Sequence, residues 1–426
     1  MKVAVVGLGK LGCPLAALLA AAGHDVVGAD LSQATVDAVN AGRAPVVESG
    51  LDGLMAETGG RLRATTDVSE AAENAEIAFC IVPTPSLPDS SFDTSIAETA
   101  FEAIGAGFAR RPGGRRVAVL TSTVLPGATM GRIAPALEGG SGQAIGDSLG
   151  LCYSPEFIAL GSVIENMRHP DMVLMGATAD WAATLATDVL RSIASQDVPV
   201  ASMSVVDAEM TKIAVNTFVT TKISYANMLA EMCERLPGSD AAVVTAALGL
   251  DTRIGAKYLR PGPPYGGPCF PRDNAAFAGL ARSLGVTADI AVATDTINRR
   301  QVDRVVAQIE AAVGHKRRVA VLGLTYKAST PVTEEAFGWN IAARLASLGH
   351  EVVAYDPAAE GAPAGVRTAP DIAGATAGAE VVVVGTPWPE FARIEHLDAD
   401  FVYDGWRIIP RQALRSSARL VCPGTA

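Results

Sequence analysis

Val3-Ala4-Val5-Val6-Gly7-Leu8-Gly9-Lys10-Leu11-Gly12 opens the chain with an apolar run that breaks into a G-x-G-x-x-G turn. Leu15 to Ala22 then suits a helix, and His24 to Ala29 a second strand ending at Asp30. Strand, glycine turn, helix and strand in that order, with an acid 18 residues beyond Gly12, are the parts of a dinucleotide-binding βαβ unit. Gly7, Gly9 and Gly12 let a pyrophosphate approach the helix N-terminus, whose amides and dipole attract it; Lys10 and Leu11 lie in the same turn. Asp30 would accept hydrogen bonds from ribose hydroxyls and repel a 2′-phosphate, so the expected cofactor is NAD rather than NADP. An ordinary βαβ turn without a ligand is the alternative that these residues leave open.

More strand-and-loop units follow. Ile77 to Val82 runs into Pro83-Thr84-Pro85, and Arg116 to Leu120 into Thr121-Ser122-Thr123. In a parallel sheet such loops lie at the carboxyl ends of the strands, which makes Thr84, Ser122 and Thr123 cofactor-side candidates as well as ordinary turn formers. Val206 to about Arg235 carries a long helical pattern without an internal proline. Lys212 and Asn216 are four apart there and share one face, so an amine and an amide can point together, unless the lysine is simply solvated.

Pro261 to Asp273 reads Pro-Gly-Pro-Pro-Tyr-Gly-Gly-Pro-Cys-Phe-Pro-Arg-Asp. Prolines restrict this backbone while Gly266 and Gly267 allow close approach, so Cys269 sits in a rigid loop with a carboxylate four residues on. That suits a nucleophile, although a thiol in such a loop is often incidental. A second α/β pattern begins at Arg318, with a strand to Leu322, the turn Gly323-Leu324-Thr325-Tyr326-Lys327, a helix over Ala336 to Leu348 and a strand ending at Asp356. Its glycine pattern is incomplete, which argues against a second dinucleotide site and leaves Lys327 as a candidate phosphate ligand. Val381 to Gly385 and Phe401 to Asp404 continue the second sheet.

The balance of the composition excludes several classes. A 426-residue chain, 49% hydrophobic and 5% aromatic, can bury two or three cores. Its net charge of −11 speaks against nucleic acid as a partner. Apolar runs such as Val381 to Val384 fall far below the roughly 20 residues of a membrane span. The six scattered cysteines and the absence of a signal-peptide pattern point to a reducing cytoplasm, and the five histidines show no metal-ligand spacing. The expected fold is α/β, two Rossmann-like doubly wound domains joined by a long helix and a helical middle. The expected divisions are 1–200, 201–300 and 301–426.

Taken together these motifs resemble the UDP-glucose/GDP-mannose dehydrogenase family over essentially the whole chain. The segments that carry the resemblance include Val82-Pro83-Thr84-Pro85, Ser154-Pro155-Glu156-Phe157, Ala208-Glu209-Met210-Thr211-Lys212, Gly266-Gly267-Pro268-Cys269-Phe270-Pro271-Arg272-Asp273 and Leu322-Gly323-Leu324-Thr325-Tyr326-Lys327. The resemblance implies NAD-dependent oxidation of the C6 hydroxymethyl of a nucleotide sugar, UDP-glucose foremost, through a thioester on Cys269. It gives Lys212 and Asn216 the oxyanion, Glu156 and Asp273 the proton transfers, and Thr123 the water. Phe157, Tyr258, Leu259, Tyr265 and Gly266 would line the sugar pocket, Lys327 would meet the diphosphate, and Arg253 would enter the neighbouring subunit of a homodimer.

Some positions depart from the family pattern: Glu334 replaces an arginine that helps hold the cofactor's phosphates, and Leu160, Met172, Pro268 and Trp406 replace an acid, an arginine, a serine and an arginine. Arg407 stands next to Trp406 as a candidate substitute. These departures leave room for a redox-neutral, NAD-retaining nucleotide-sugar epimerase, for partial oxidation, or for a non-catalytic nucleotide-sugar-binding protein as alternatives.

Overall fold

Short runs of aliphatic residues bounded by glycine, proline and polar residues form strands buried on both faces, as a parallel sheet covered by helices requires. The computed structural model describes residues 1–158 and 160–426. They divide into two units, Met1–Ala214 and Val215–Ala426.

In the first unit β1 (Lys2–Val6), β2 (Asp25–Ala29), β3 (Leu62–Thr65), β4 (Ile77–Cys80), β5 (Arg116–Leu120), β6 (Leu149–Tyr153), β7 (Val173–Ala177) and β8 (Val200–Met203) lie in the order β3-β2-β1-β4-β5-β6-β7-β8. Pairing is parallel from β3 through β6; β7 turns antiparallel to β6, and β8 follows β7 in parallel. The period-2 alternation of a strand divides β1 between two cores. Val3 and Val5 pack with Leu15 and Leu19 of the helix Gly12–Ala21, and Ala4 and Val6 with Phe101 and Ile104 of the helix Ser95–Arg110. With β2 on one side of β1 and β4 on the other, the strand order reverses there, and the carboxyl edge at that point is where such sheets take ligands.

The helix expected from Leu15 starts at Gly12. A Cβ at Gly12 would stand 1.8 Å from the Gly7 carbonyl oxygen, so the helix reaches the turn because that residue has no side chain.

The second unit holds β9 (Arg318–Leu322), β10 (Glu351–Tyr355), β11 (Val366–Thr368), β12 (Val381–Val384), β13 (Phe401–Asp404) and β14 (Arg419–Val421), all parallel, in the order β11-β10-β9-β12-β13-β14. The doubly wound α/β architecture expected from the sequence is therefore present twice. Val319 and Val321 pack on the helix Phe337–Ser347 and on Val305 and Ile309 of the helix Asp289–Val313; Ala320 and Leu322 face the opposite layer with Phe391. The glycine pattern that reads as incomplete closes later in the chain. A Cβ on Gly338, in the first turn of its helix, would lie 1.9 Å from the Gly323 carbonyl oxygen, as Gly12 does against Gly7.

The helix Val205–Cys233 runs without a break through the boundary between the units and carries Lys212 and Asn216. Among the described residues no helix is long and apolar enough to cross a membrane.

Candidate active site

At the carboxyl edge of the first sheet, Gly7 has φ +89° and a Cβ there would strike the Ile81 carbonyl at 2.3 Å, whereas nothing lies within 4 Å of a Cβ on Gly9. Gly9 thus leaves open space at the turn. Leu11, at the N-cap, has no polar side chain with which to cap the first amides of Gly12–Ala21, and such amides suit a pyrophosphate. Asp30, just after β2, accepts from Leu8 N (2.8 Å) and Ser32 N (2.9 Å), a carboxylate held in place with lone pairs to spare. Lys10 is exposed beside the turn. Open space at Gly9, amides without a capping side chain and a fixed acid together fit NAD.

The hydroxyls next to this turn have structural partners. Ser122 Oγ both accepts from Val82 N (3.0 Å) and donates to Val82 O (2.7 Å), and Thr84 Oγ1 donates to Thr123 O (2.8 Å). Ser122, Thr84 and Thr123 therefore tie the loops after β4 and β5 together.

Glu156, Phe157 and Lys212 come together in the first unit. Lys212, only 7% exposed, donates from Nζ to the Glu156 carbonyl at 2.6 Å, with the ammonium 4.6 Å from the centre of the Phe157 ring. A solvated lysine is thereby ruled out. Burial pushes the Glu156 carboxyl up to about 7 while the Lys212 charge pulls against it, which leaves a group able to hold or accept a proton near neutrality. One helical turn before Lys212, the fully buried Glu209 carboxylate accepts from Gly127 N (2.6 Å) and Thr129 N (2.7 Å). It fastens the loop after Thr123 to the helix that carries the lysine.

In the second unit Cys269 is exposed and is the N-cap of the helix Phe270–Ser283, where free amides favour negative charge on the sulfur. Asp273, one turn on, is 1% exposed; its Oδ2 accepts from Asn216 Nδ2 at 2.6 Å and its Oδ1 from Arg272 Nε at 3.1 Å. Tyr258 and Tyr265 meet the Phe270 ring edge-on, with centroids 6.2 and 6.5 Å apart, and Leu259 is buried close by in sequence. Tyr258 takes a left-handed φ of +62°, a strain that positions of structural indifference seldom keep.

The two glycines before the cysteine work as contact points. A Cβ on Gly266 would reach within 2.1 Å of the Glu335 carbonyl, and one on Gly267 within 2.6 Å of the Tyr326 ring; Gly267 N donates to Glu334 O at 3.0 Å. The turn that contains Tyr326 and Lys327 thus holds the cysteine loop, and Glu334 contributes its main chain to that hold. Arg253 is elsewhere: its side chain is highly exposed and forms a bidentate pair with Asp251 (2.6 Å for the shortest contact). Lys222 steadies that loop by donating to the carbonyls of Ile254 and Gly255 at 3.1 and 2.9 Å.

Arg407 does not stand in for the missing arginine as a ligand. Its guanidinium is bidentate on Asp240 (2.8 and 2.6 Å) and also donates to Pro423 O (2.8 Å). The Trp406 indole donates to Gly385 O at 3.0 Å, which joins the loops after β12 and β13. Leu160 packs on a first-unit core, as an aliphatic replacement for an acid should. Glu209 and Gly338 carry no local periodicity that marks them; Glu209 stands in a segment that carries the resemblance, and the turn-to-helix contact of Gly338 is recognisable only by comparison with the first glycine turn.

Residues 1–194 match the NAD binding domain, residues 206–300 the central domain and residues 320–411 the UDP binding domain of the UDP-glucose/GDP-mannose dehydrogenase family. A UDP-glucose 6-dehydrogenase of Haloferax volcanii is 36% identical over 425 residues, 97% of this chain and 98% of the relative. A GDP-mannose 6-dehydrogenase of Pseudomonas putida is 33% identical over 362 residues, 84% of this chain and 81% of the relative. The solved structure of a UDP-glucose dehydrogenase from Pyrobaculum islandicum aligns with a TM-score of 0.90 at 32% identity, covering 100% of this chain and 98% of the other.

Proposed function

Because the chain belongs to the UDP-glucose/GDP-mannose dehydrogenase family, we propose that it oxidises the C6 hydroxymethyl of UDP-glucose twice, to the uronic acid, with Cys269 holding the sugar between the two steps. It is an NAD-dependent nucleotide-sugar dehydrogenase. The observation that carries the proposal is Cys269 at a helix N-cap with the buried Asp273 one turn on, bonded to Asn216. UDP rather than GDP is favoured by the UDP binding domain matched at residues 320–411 and by the 36% identical relative.

The Gly7 to Gly12 turn and Asp30 would hold NAD, and two NAD molecules bound in succession would each accept one hydride. In the first oxidation, C6 gives up a hydride while its hydroxyl loses a proton, which leaves an aldehyde. Lys212, with Asn216, stabilises the oxygen as it gains charge. The Cys269 thiolate adds to the aldehyde carbon, and the resulting thiohemiacetal loses hydride and proton to become a thioester. Water then attacks the carbonyl, the C–S bond breaks, and the carboxylate leaves with the thiolate restored. Glu156 takes the water's proton, Thr123 holds that water, and Asp273 serves proton transfer at the cysteine. Phe157, Tyr258, Leu259, Tyr265 and Gly266 line the sugar pocket, and Lys327 meets the diphosphate.

The working form is a homodimer in the cytoplasm, with residues 201–300 as its helical middle. Phe218, Tyr225 and Met232 recur every seven residues along one face of the long helix and are each exposed, as is Leu250 on the following helix. In such a dimer Arg253 reaches the neighbouring subunit, as the family resemblance implies. NADH formed per sugar consumed, with UDP-glucose, UDP-N-acetylglucosamine and GDP-mannose, tests the reading. Two equivalents on UDP-glucose, lost in Cys269→Ala, are expected; a sugar changed without net NADH overturns it.

A further inference from the structure

The side chain of Asn298, on the helix Asp289–Val313, spans the main chain of Tyr265. Its Oδ1 accepts from Tyr265 N at 2.8 Å and its Nδ2 donates to Tyr265 O at 2.9 Å. Because an N–H can meet only an acceptor and a carbonyl only a donor, the amide has one possible orientation. The side chain thus acts as a neighbouring strand would, at a place where the cysteine loop belongs to no sheet among the described residues.

Tyr265 stands four positions before Cys269, and two of the three residues between them are held by main chain: Gly266 against the Glu335 carbonyl, and Gly267 by its bond to Glu334 O. Further back, Gly262 N donates to Asn227 Oδ1 at 2.9 Å. Tyr265 also passes its position on through its ring, which meets edge-on the Phe270 ring, the residue after the cysteine. Glu335, which receives Gly266, has a left-handed φ of +49°. A loop gripped from both sides with strain in one of its supports is sensitive to the loss of the other.

We infer that Asn298 is a positioning residue for Cys269: through Tyr265 it sets where the sulfur stands at the helix N-cap, and so governs capture of the aldehyde and the second oxidation. This rests on the reading of Cys269 as the nucleophile. A displacement near 1 Å of a reacting group can cost about a hundredfold in rate, so the clamp has leverage without touching substrate.

The test uses the full chain with Asn298→Ala and the near-isosteric Asn298→Asp, which keeps the bond to Tyr265 N but turns an acceptor toward Tyr265 O. Two readouts are taken: the rate of N-ethylmaleimide addition to Cys269, followed on its own peptide by mass spectrometry, and kcat and KM for UDP-glucose. Expected are a change of about tenfold or more in the addition rate, a kcat lower by a similar factor and KM within about threefold, in both variants. Asn298 and Tyr265 line a cavity of about 460 Å3, through which added formamide, the carboxamide that Asn298→Ala removes, should restore part of both values in that variant. An addition rate within twofold of the parent, or an activity loss that tracks a fall in Tm and is untouched by formamide, overturns the inference. The addition rate needs no substrate. If Cys269→Ala keeps full activity, the proposed chemistry has failed, and the clamp is still judged by its effect on the thiol.

Discussion

The two glycine turns of this chain close in the same way and hold different things. Gly7 and Gly323 have φ of +89° and +94°, and each presses its carbonyl against a helical glycine, Gly12 or Gly338, that has no room for a Cβ. The first pair is five positions apart and the second fifteen, so the second turn admits ten more residues. Those residues include Tyr326 and the carbonyls of Glu334 and Glu335, which hold Gly266 and Gly267. The acids at the next strand ends differ as well. Asp30 takes two amides, whereas Asp356 accepts from Leu324 N, Thr325 N, Thr325 Oγ1 and Trp388 Nε1 on one oxygen and from Ala358 N and Ala359 N on the other. A carboxylate has about four lone-pair sites, so Asp356 is saturated and Asp30 is not. The glycine contact belongs to the fold; in the proposed reading, the open space at Gly9 and the unspent acceptors of Asp30 are what the dinucleotide uses.

Breaking the shared part should have the largest effect. Gly12→Ala and Gly338→Ala each drive a methyl into a backbone carbonyl, and a loss of about 3 kcal/mol or more, read as a Tm drop or failure to fold, is expected in both units. Gly9→Ala should separate the two roles, with Tm little changed and NAD affinity, by titration calorimetry, down about tenfold or more. The acids sharpen the contrast further. Asp356→Ala orphans donors on three loops and should cost about 2–3 kcal/mol by denaturant unfolding with NAD affinity unmoved. Asp30→Ala should chiefly weaken NAD.

The smallest effect concerns pH and the first unit alone. Burial raises the Glu156 carboxyl from its ordinary 4.5 to about 7. Stability from that group is whole below pH 4.5 and is lost as pH rises through about 7, because the unfolded chain ionises first. The base form appears over the upper part of the same window, so thioester hydrolysis should rise toward a plateau above pH 7, and Glu156→Gln should flatten both profiles.

Much of this was legible beforehand for physical reasons. Strands buried on both faces are largely apolar runs, and Arg116–Leu120, Glu351–Tyr355 and Phe401–Asp404 lie where the sequence puts them, while Val381–Val384 stops one residue before the expected Gly385. The first glycine turn is contiguous and could be read directly; the second could not, because its closing glycine is displaced by ten residues. Four-residue spacing placed Lys212 and Asn216 on one face but said nothing of their burial, which depends on Glu156 and Asp273, 56 and 57 residues away. Arg407 looked available because its partner Asp240 is 167 residues distant. The grips of Glu209 and Asn298 on distant main chain leave no local pattern.

The unbroken helix that carries Lys212 and Asn216 has a further consequence for how this sequence can change over time. In an α-helix each residue advances about 1.5 Å and turns about 100°, so one residue inserted or deleted between these two positions would turn Asn216 off the helix face it shares with Lys212. Surface loops absorb changes of length at little cost. Between Lys212 and Asn216 the chain's history can be written only in substitutions.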